Sequence, residues 1–226
     1  MKDVRAVIAA NAGGINSLEV VVNCRALNRG GNGIVIQNES SRRHMWCDKN
    51  ERKVRDKWET GKQAGREELW DGKKHKVSRK RAGAAVVEED YPPTVAVIAD
   101  VWPSPSYMYY PSLLFEGREW RLTSEENGIA RVVGVDKDSK SGKVGKQRIE
   151  CDVDVSRGVF LEIREYVRDG RLLGRTRFKS YRQYGGIWLP DMVRQRVNGR
   201  TNVVDFEYSV DRMTVNQVNA SDLRLQ

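Results

Sequence analysis

The sequence predicts a mainly β protein: one continuous antiparallel sheet of about ten strands, with a short helix at its N-terminus. Two observations carry that expectation. Apolar residues alternate with polar ones along most of the chain, and the alternating segments are separated by Gly- and Asn-containing turn signals such as Glu126-Asn127-Gly128, Asp169-Gly170 and Gly185-Gly186. The length, 226 residues, suits one large all-β domain spanning 1–226, and no low-complexity linker divides it.

The first element is the exception to the β pattern. Val4, Val7, Ile8 and Ile15 recur at helical spacing, which predicts a short amphipathic helix from Asp3 to about Asn11, ended by Gly13-Gly14. From Ser17 the period becomes two. Leu18, Val20, Val22, Cys24 and Ala26 share one face; Glu19, Asn23 and Arg25 share the other, with Val21 out of pattern. A turn is expected over Asn28 to Gly33, then a short strand over Ile34 to Asn38.

Trp46, Trp58 and Trp70 stand twelve residues apart. With turn-forming runs between them, at Asp48–Glu51 and Gly61–Gly65, this is the rhythm of a meander rather than of a charged helix. Asp71-Gly72 then predicts a hairpin between Trp70 and Val77. Ala82 to Asp90 has no clear pattern and reads as a loop. From Thr94 to Phe115 the chain is apolar and aromatic but broken by Pro103, Pro105 and Pro111, so short helical turns and loops are expected.

Seven strands follow: Trp120–Ser124, Ile129–Asp136, Arg148–Val155, Val159–Val167, Leu172–Tyr181, Trp188–Val197 and Asn202–Val210. The stretch Tyr181 to Pro190, YRQYGGIWLP, is a hairpin around its two glycines, with Pro190 placing the second strand at an edge or bulge. Val204, Phe206, Tyr208 and Val210 share one face of the last strand.

Composition narrows the chemistry. Forty Lys and Arg against 31 Asp and Glu give a net charge of +9, which permits anionic partners (nucleic acid, phospholipid headgroups, lipopolysaccharide) without choosing among them. Cys24, Cys47 and Cys151 have no zinc spacing. Their odd number excludes a full disulfide framework; one bridge stays open, and buried free thiols are the expected state. His44 and His75 lie in basic stretches with no fixed partner in view and read as surface residues. Asp152 and Asp154 share a strand face, which reads as solvated rather than as a catalytic pair. Asp136–Lys140 lacks the ligands of a calcium loop. Gly142-Lys143-Val144-Gly145 has the form of an RNA-binding GxxG loop but joins strands, and the basic run Lys73–Arg81 would show its charges to solvent. No nucleophile, phosphate or metalloprotease motif is present, so neither catalytic residues, nor metal, nor cofactor are expected. No apolar run reaches the ~18 residues of a membrane helix. The opening Met1-Lys2-Asp3 shows no signal peptide, which reads either as a cytoplasmic protein or as a mature form.

The order of motifs has a family likeness. The helix ends in Gly13-Gly-Ile-Asn-Ser-Leu18; Leu69-Trp-Asp-Gly-Lys-Lys74 follows; then come Val153-Asp154, the long VRDGRLLGRTRFKSYRQYGGIWLP run of 167–190 and the closing VNQVNASDLRL of 215–225. In that order they resemble the LolA/LolB-like superfamily of periplasmic lipoprotein carriers and outer-membrane lipoprotein-sorting proteins. The resemblance implies a strongly curved, unclosed sheet covered by the N-terminal helix and by short helical and loop segments. It implies a non-enzymatic protein of the periplasm or cell envelope, monomeric, whose cavity receives a lipid or a lipoprotein acyl chain. It also implies an arginine before a proline that ties the cover shut; the matching stretch, Met45 to Arg55, has no Arg-Pro, which leaves that role unassigned at Arg52 and Arg55. The cavity would be lined by Val20, Val22, Phe178 and Trp188 from strands, and by Trp102, Tyr109, Leu113 and Phe115 from the cover. Anionic headgroups are a further expected partner. A basic β domain binding nucleic acid, and a ligand-free interaction scaffold, are the alternatives.

Overall fold

The computed structural model describes residues 3–50, 53–70, 75–79, 87–89, 114–115, 118–136 and 148–224. Its first element, α1 (Val4–Gly13), is capped by Asp3, whose carboxylate accepts from the Arg5 amide, and it buries Val4, Ile8 and Ala12 at helical spacing. Thirteen strands follow: β1 (Ser17–Gly30), β2 (Val35–Asp48), β3 (Lys53–Trp58), β4 (Arg66–Trp70), β5 (His75–Arg79), β6 (Val87–Glu89), β7 (Arg118–Glu126), β8 (Ile129–Asp136), β9 (Arg148–Asp154), β10 (Val159–Tyr166), β11 (Leu172–Tyr184), β12 (Ile187–Asn198) and β13 (Asn202–Val215). All belong to one antiparallel sheet of order β6-β5-β4-β3-β2-β1-β13-β12-β11-β10-β9-β8-β7, which is not closed into a barrel.

The sheet is two meanders, β1–β6 and β7–β13, joined at its centre where β1 pairs with β13 from Leu18↔Val215 to Gly30↔Asn202. The turns work as the sequence implies. Asn127 and Gly128 (φ 53° and 75°) and Gly185 and Gly186 (φ 59° and 85°) form left-handed two-residue hairpins whose twist matches that of their strands.

Several boundaries differ from expectation. The expected β1–β2 turn is shorter, because Asn28, Arg29 and Gly30 remain paired with β13; β2 runs on to Asp48, since both its neighbours hydrogen-bond the polar stretch that carries no clear alternation. The expected loop over Ala82–Asp90 contains β6, which pairs Val87 with Val77 and is too short to show a period of two. The Trp-spaced region is the expected meander, with Trp46, Trp58 and Trp70 on β2, β3 and β4.

One face of the sheet carries the core. Val20, Val22, Cys151, Val153, Ile163, Phe178 and Leu189 meet there with Val4 and Ile8 of α1. The helix is fixed tightly. A Cβ on Gly158 would stand 2.4 Å from the Val7 carbonyl, and Asn11 clasps the backbone of Trp188, accepting from its N–H at 3.0 Å and donating to its carbonyl at 3.1 Å.

Candidate functional site

The inner face is apolar from β1 across to β8. Val20 and Val22 come to it from β1, Val193 and Leu189 from β12, Phe178 from β11, and Phe160 and Ile163 from β10. Period-two alternation explains most of these placements. Ser180, at φ 55°, interrupts the alternation on β11, and Phe178 and Tyr181 both reach the core although three residues apart. Leu114 is 1% exposed and Phe115 packs beside it, so the end of the segment expected as a cover rests on this face.

A row of rings crosses it. Trp120 meets Phe115 edge-on with centroids 4.9 Å apart, Phe115 lies 6.5 Å from Phe160, and Phe160 lies 6.5 Å from Phe178. Trp120 lies flat over Gly134, opposite it on β8, where a Cβ would stand 2.6 Å from the indole. The buried indole N–H of Trp120 has no hydrogen-bond partner among the described residues.

Toward β2–β4 the buried chemistry turns ionic. Arg43 forms an ion pair with Asp56, and its guanidinium lies 4.6 Å over Trp58. Burial opposes the Arg43 charge, but the Asp56 carboxylate more than offsets this and holds it protonated. Burial lifts the Asp56 carboxyl above its usual range, with Arg43 acting against the shift. Burial also raises the thiol of Cys24 and the phenol of Tyr208 alongside.

The expected lining residues are distributed as follows. Val20, Val22 and Phe178 are buried in the core cluster, and Phe115 packs against it. Trp188 stands apart, half-buried, with the Arg157 guanidinium 5.5 Å from its ring. Trp102, Tyr109 and Leu113 lie outside the described residues, as do Arg52 and the GxxG loop. Arg55 is engaged elsewhere, by Glu67 and by the C-terminal segment.

Two readings of polar residues are corrected. His44 is not a free surface histidine: its Nε2 lies 2.7 Å from Glu19 and its ring stacks on Trp46 at 3.7 Å. Asp152 and Asp154 are neither a catalytic pair nor simply solvated. Asp152 accepts from Arg131 at 2.7 Å and Arg164 at 2.9 Å, and Asp154 caps the turn of Ser156 and Arg157. The three cysteines are buried and free, the expected state.

The opposite face is a field of arginines and carboxylates, and sequence reasoning missed its shape. A groove of about 650 Å³ runs over β11, β12, β13 and β1, lined by seven cationic side chains and only two carboxylates, Asp205 and Glu207. The clue was available in the alternation of Arg175 and Arg177 with Arg194 and Arg196 across one hairpin.

No protein-family model matches the chain, and no curated protein matches it. Solved structures do. A protein described as an outer membrane lipoprotein-sorting domain, from Vibrio parahaemolyticus, aligns with a TM-score of 0.65 at 13% identity over 98% of this chain and 95% of its own. A DUF1329 family protein from Desulfovibrio piger aligns with a TM-score of 0.65 at 13% identity, over 99% of this chain and 96% of its own. A LolA superfamily protein from Nitrosomonas europaea aligns with a TM-score of 0.61 at 13% identity, over 98% and 97%. At such identity the likeness is one of architecture, and in architecture the chain is LolA-like: an unclosed antiparallel sheet with a helix packed on its inner face.

Proposed function

We propose that the protein is a non-enzymatic component of the cell envelope that binds a lipid, or the acyl chain of a lipoprotein, against the inner face of its open sheet. The observation that carries this reading is the row of rings from Trp120 to Phe178, set in an apolar face with a buried indole N–H at one end that has no partner among the described residues. An acyl chain laid along that row would gain about 0.8 kcal/mol per buried methylene, less its ordering cost. The carbonyl of its ester or amide linkage is an acceptor of the kind the Trp120 indole lacks. Similarity of fold to a LolA superfamily protein and to a lipoprotein-sorting domain supports the same class of ligand.

Trp102, Tyr109 and Leu113 are proposed as the cover that Leu114 and Phe115 anchor, with Val20, Val22 and Phe178 as the floor; Trp188, which stands apart from that floor, is not part of it.

Titration of the folded chain with a fluorescent fatty-acyl probe, followed by tryptophan emission at low and high salt, tests the reading. Saturable binding with little salt dependence is expected, weakened by Phe115→Asp while the far-ultraviolet circular dichroism stays unchanged. Absence of saturable binding at either salt would leave the interaction-scaffold alternative ahead.

A further inference from the structure

The β1–β2 hairpin carries an exposed apolar tip beside the basic groove. Ile34, Val35 and Ile36 are 64%, 47% and 66% exposed, three adjacent aliphatic side chains, whereas the other exposed aliphatics among the described residues, Ile129 and Val135, stand singly. The tip is closed by its own turn: the Gly30 amide donates to the Ile34 carbonyl at 2.9 Å, the Asn32 side chain accepts from the Ile34 amide, and Gly33 takes φ 79°. Arg29 of the groove pairs directly with Val35 of the tip, so the two features are continuous. The next hairpin, β12–β13, adds exposed Arg200 at the same end of the sheet.

The groove itself is assembled against its own repulsion. Arg175 stands opposite Arg196, and Arg177 opposite Arg194, on neighbouring strands. Like charges in direct cross-strand register destabilise a sheet. Nearby carboxylates offset part of this, Glu207 at 2.6 Å from Arg194, Asp205 at 2.6 Å from Arg196 and Glu162 at 2.8 Å from Arg175 and 2.7 Å from Arg177, but three carboxylates face the seven cations of the lining. Arg194 and Arg196 remain more than half exposed even so.

We infer that the Ile34–Ile36 tip and the arginine groove beside it form a docking surface for an anionic phospholipid bilayer. Each half supplies what a bilayer takes. Aliphatic side chains enter the boundary between headgroups and acyl chains, and guanidinium forks engage phosphodiesters at the level of the headgroups. A nucleic acid offers the groove its phosphates but has no apolar layer for three aliphatic side chains. A second copy docked on the same surface would set cations against cations. The inference goes beyond the acyl-binding reading and does not depend on it, since the surface lies on the other side of the sheet.

Flotation of the full chain with vesicles of phosphatidylglycerol and phosphatidylcholine, against vesicles of phosphatidylcholine alone, tests it. The expected result is binding to the anionic vesicles only, falling as salt rises. Ile34→Ser with Ile36→Ser should weaken partitioning by about tenfold or more. Arg29→Gln with Arg200→Gln should weaken it by about tenfold. All four positions are partly or fully solvent-accessible, so unchanged circular dichroism and thermal midpoint are expected. The tip variant should bind the acyl probe as the parent chain does, which separates this test from that of the inner face. Failure of the folded chain to float with anionic vesicles would overturn the inference. So would undiminished flotation of the tip variant. Sedimentation showing a dimer that the tip variant dissolves would overturn it in favour of self-association.

Discussion

The guanidinium of Arg55 donates to the main-chain carbonyl of Asp222 at 2.9 Å, tying a strand of the first meander to the C-terminal segment. The same group donates to Glu67 at 2.8 Å and lies 4.5 Å over the Trp46 ring, with both charged side chains 2% exposed. A lysine could not make both bonds and the stacking contact at once.

Replacing Arg55 with Ala leaves the buried Glu67 carboxylate without its guanidinium. Urea unfolding should show a loss of about 3–5 kcal/mol. Arg55→Lys should recover only part of it. A loss under 1 kcal/mol in the alanine variant would refute the assignment of Arg55 as the tether.

Asn216 performs the matching task at the other end of the tail. Its carbonyl oxygen accepts from the amides of Asn16 at 2.7 Å and Ser17 at 3.1 Å, and its side-chain amide donates to Gly14 at 2.8 Å, all from a backbone at φ 60°. Asn216→Ala loses the bonds and strains the backbone, and should cost about 1–3 kcal/mol. Asn216→Gly keeps the conformation and loses the bonds. It should fall between the two, so the pair of variants separates hydrogen bonding from strain.

His44 gives stability a pH dependence. Burial pushes its pKa below the ordinary 6.5, although Glu19 and Glu59 beside it pull the other way. The unfolded chain therefore binds the proton more readily than the folded one. The contribution is constant above pH ~6.5 and is lost as pH falls from there through the depressed folded value. Unfolding measured between pH 7 and 5 should show stability falling with acidification, and His44→Gln should flatten that slope. An imidazole titrating above 6.5 by NMR would contradict the prediction.

Burial pushes the thiols of Cys47 and Cys151 far above their usual range, and that of Cys24 upward as well. A thiol-reactive disulfide reagent should leave the native chain unmodified and titrate three groups in denaturant. Rapid native reaction at any of the three would show that its cover opens.

The fold was legible in the sequence where one face of a strand is buried and its turn needs a positive φ. The hairpins at Asn127-Gly128 and Gly185-Gly186 satisfy both conditions, and the strands around them begin and end within a few residues of expectation. Legibility failed where pairing, not patterning, decides. The Arg42–His44 part of β2 has no apolar alternation, and β6 is three residues long. The site was legible only in part. Val20, Val22 and Phe178 follow from alternation. The ion pair of Arg43 and Asp56 does not, because thirteen residues of sequence separate two charges that only the β2–β3 pairing brings together. The basic groove is likewise a property of register, visible once Arg175 is known to face Arg196.

The pairing of β1 with β13 sets the order in which the chain can be finished. Every other neighbouring pair joins strands adjacent in sequence, so each meander can zip locally as it is made. The central seam alone spans nearly the whole chain, from Leu18 to Val215. Until β13 is synthesised, β1 presents a long bare edge rich in valine, the kind of edge that invites pairing with another chain. A nascent molecule is thus exposed to aggregation until β13 emerges, and that strand is the one that ends the risk.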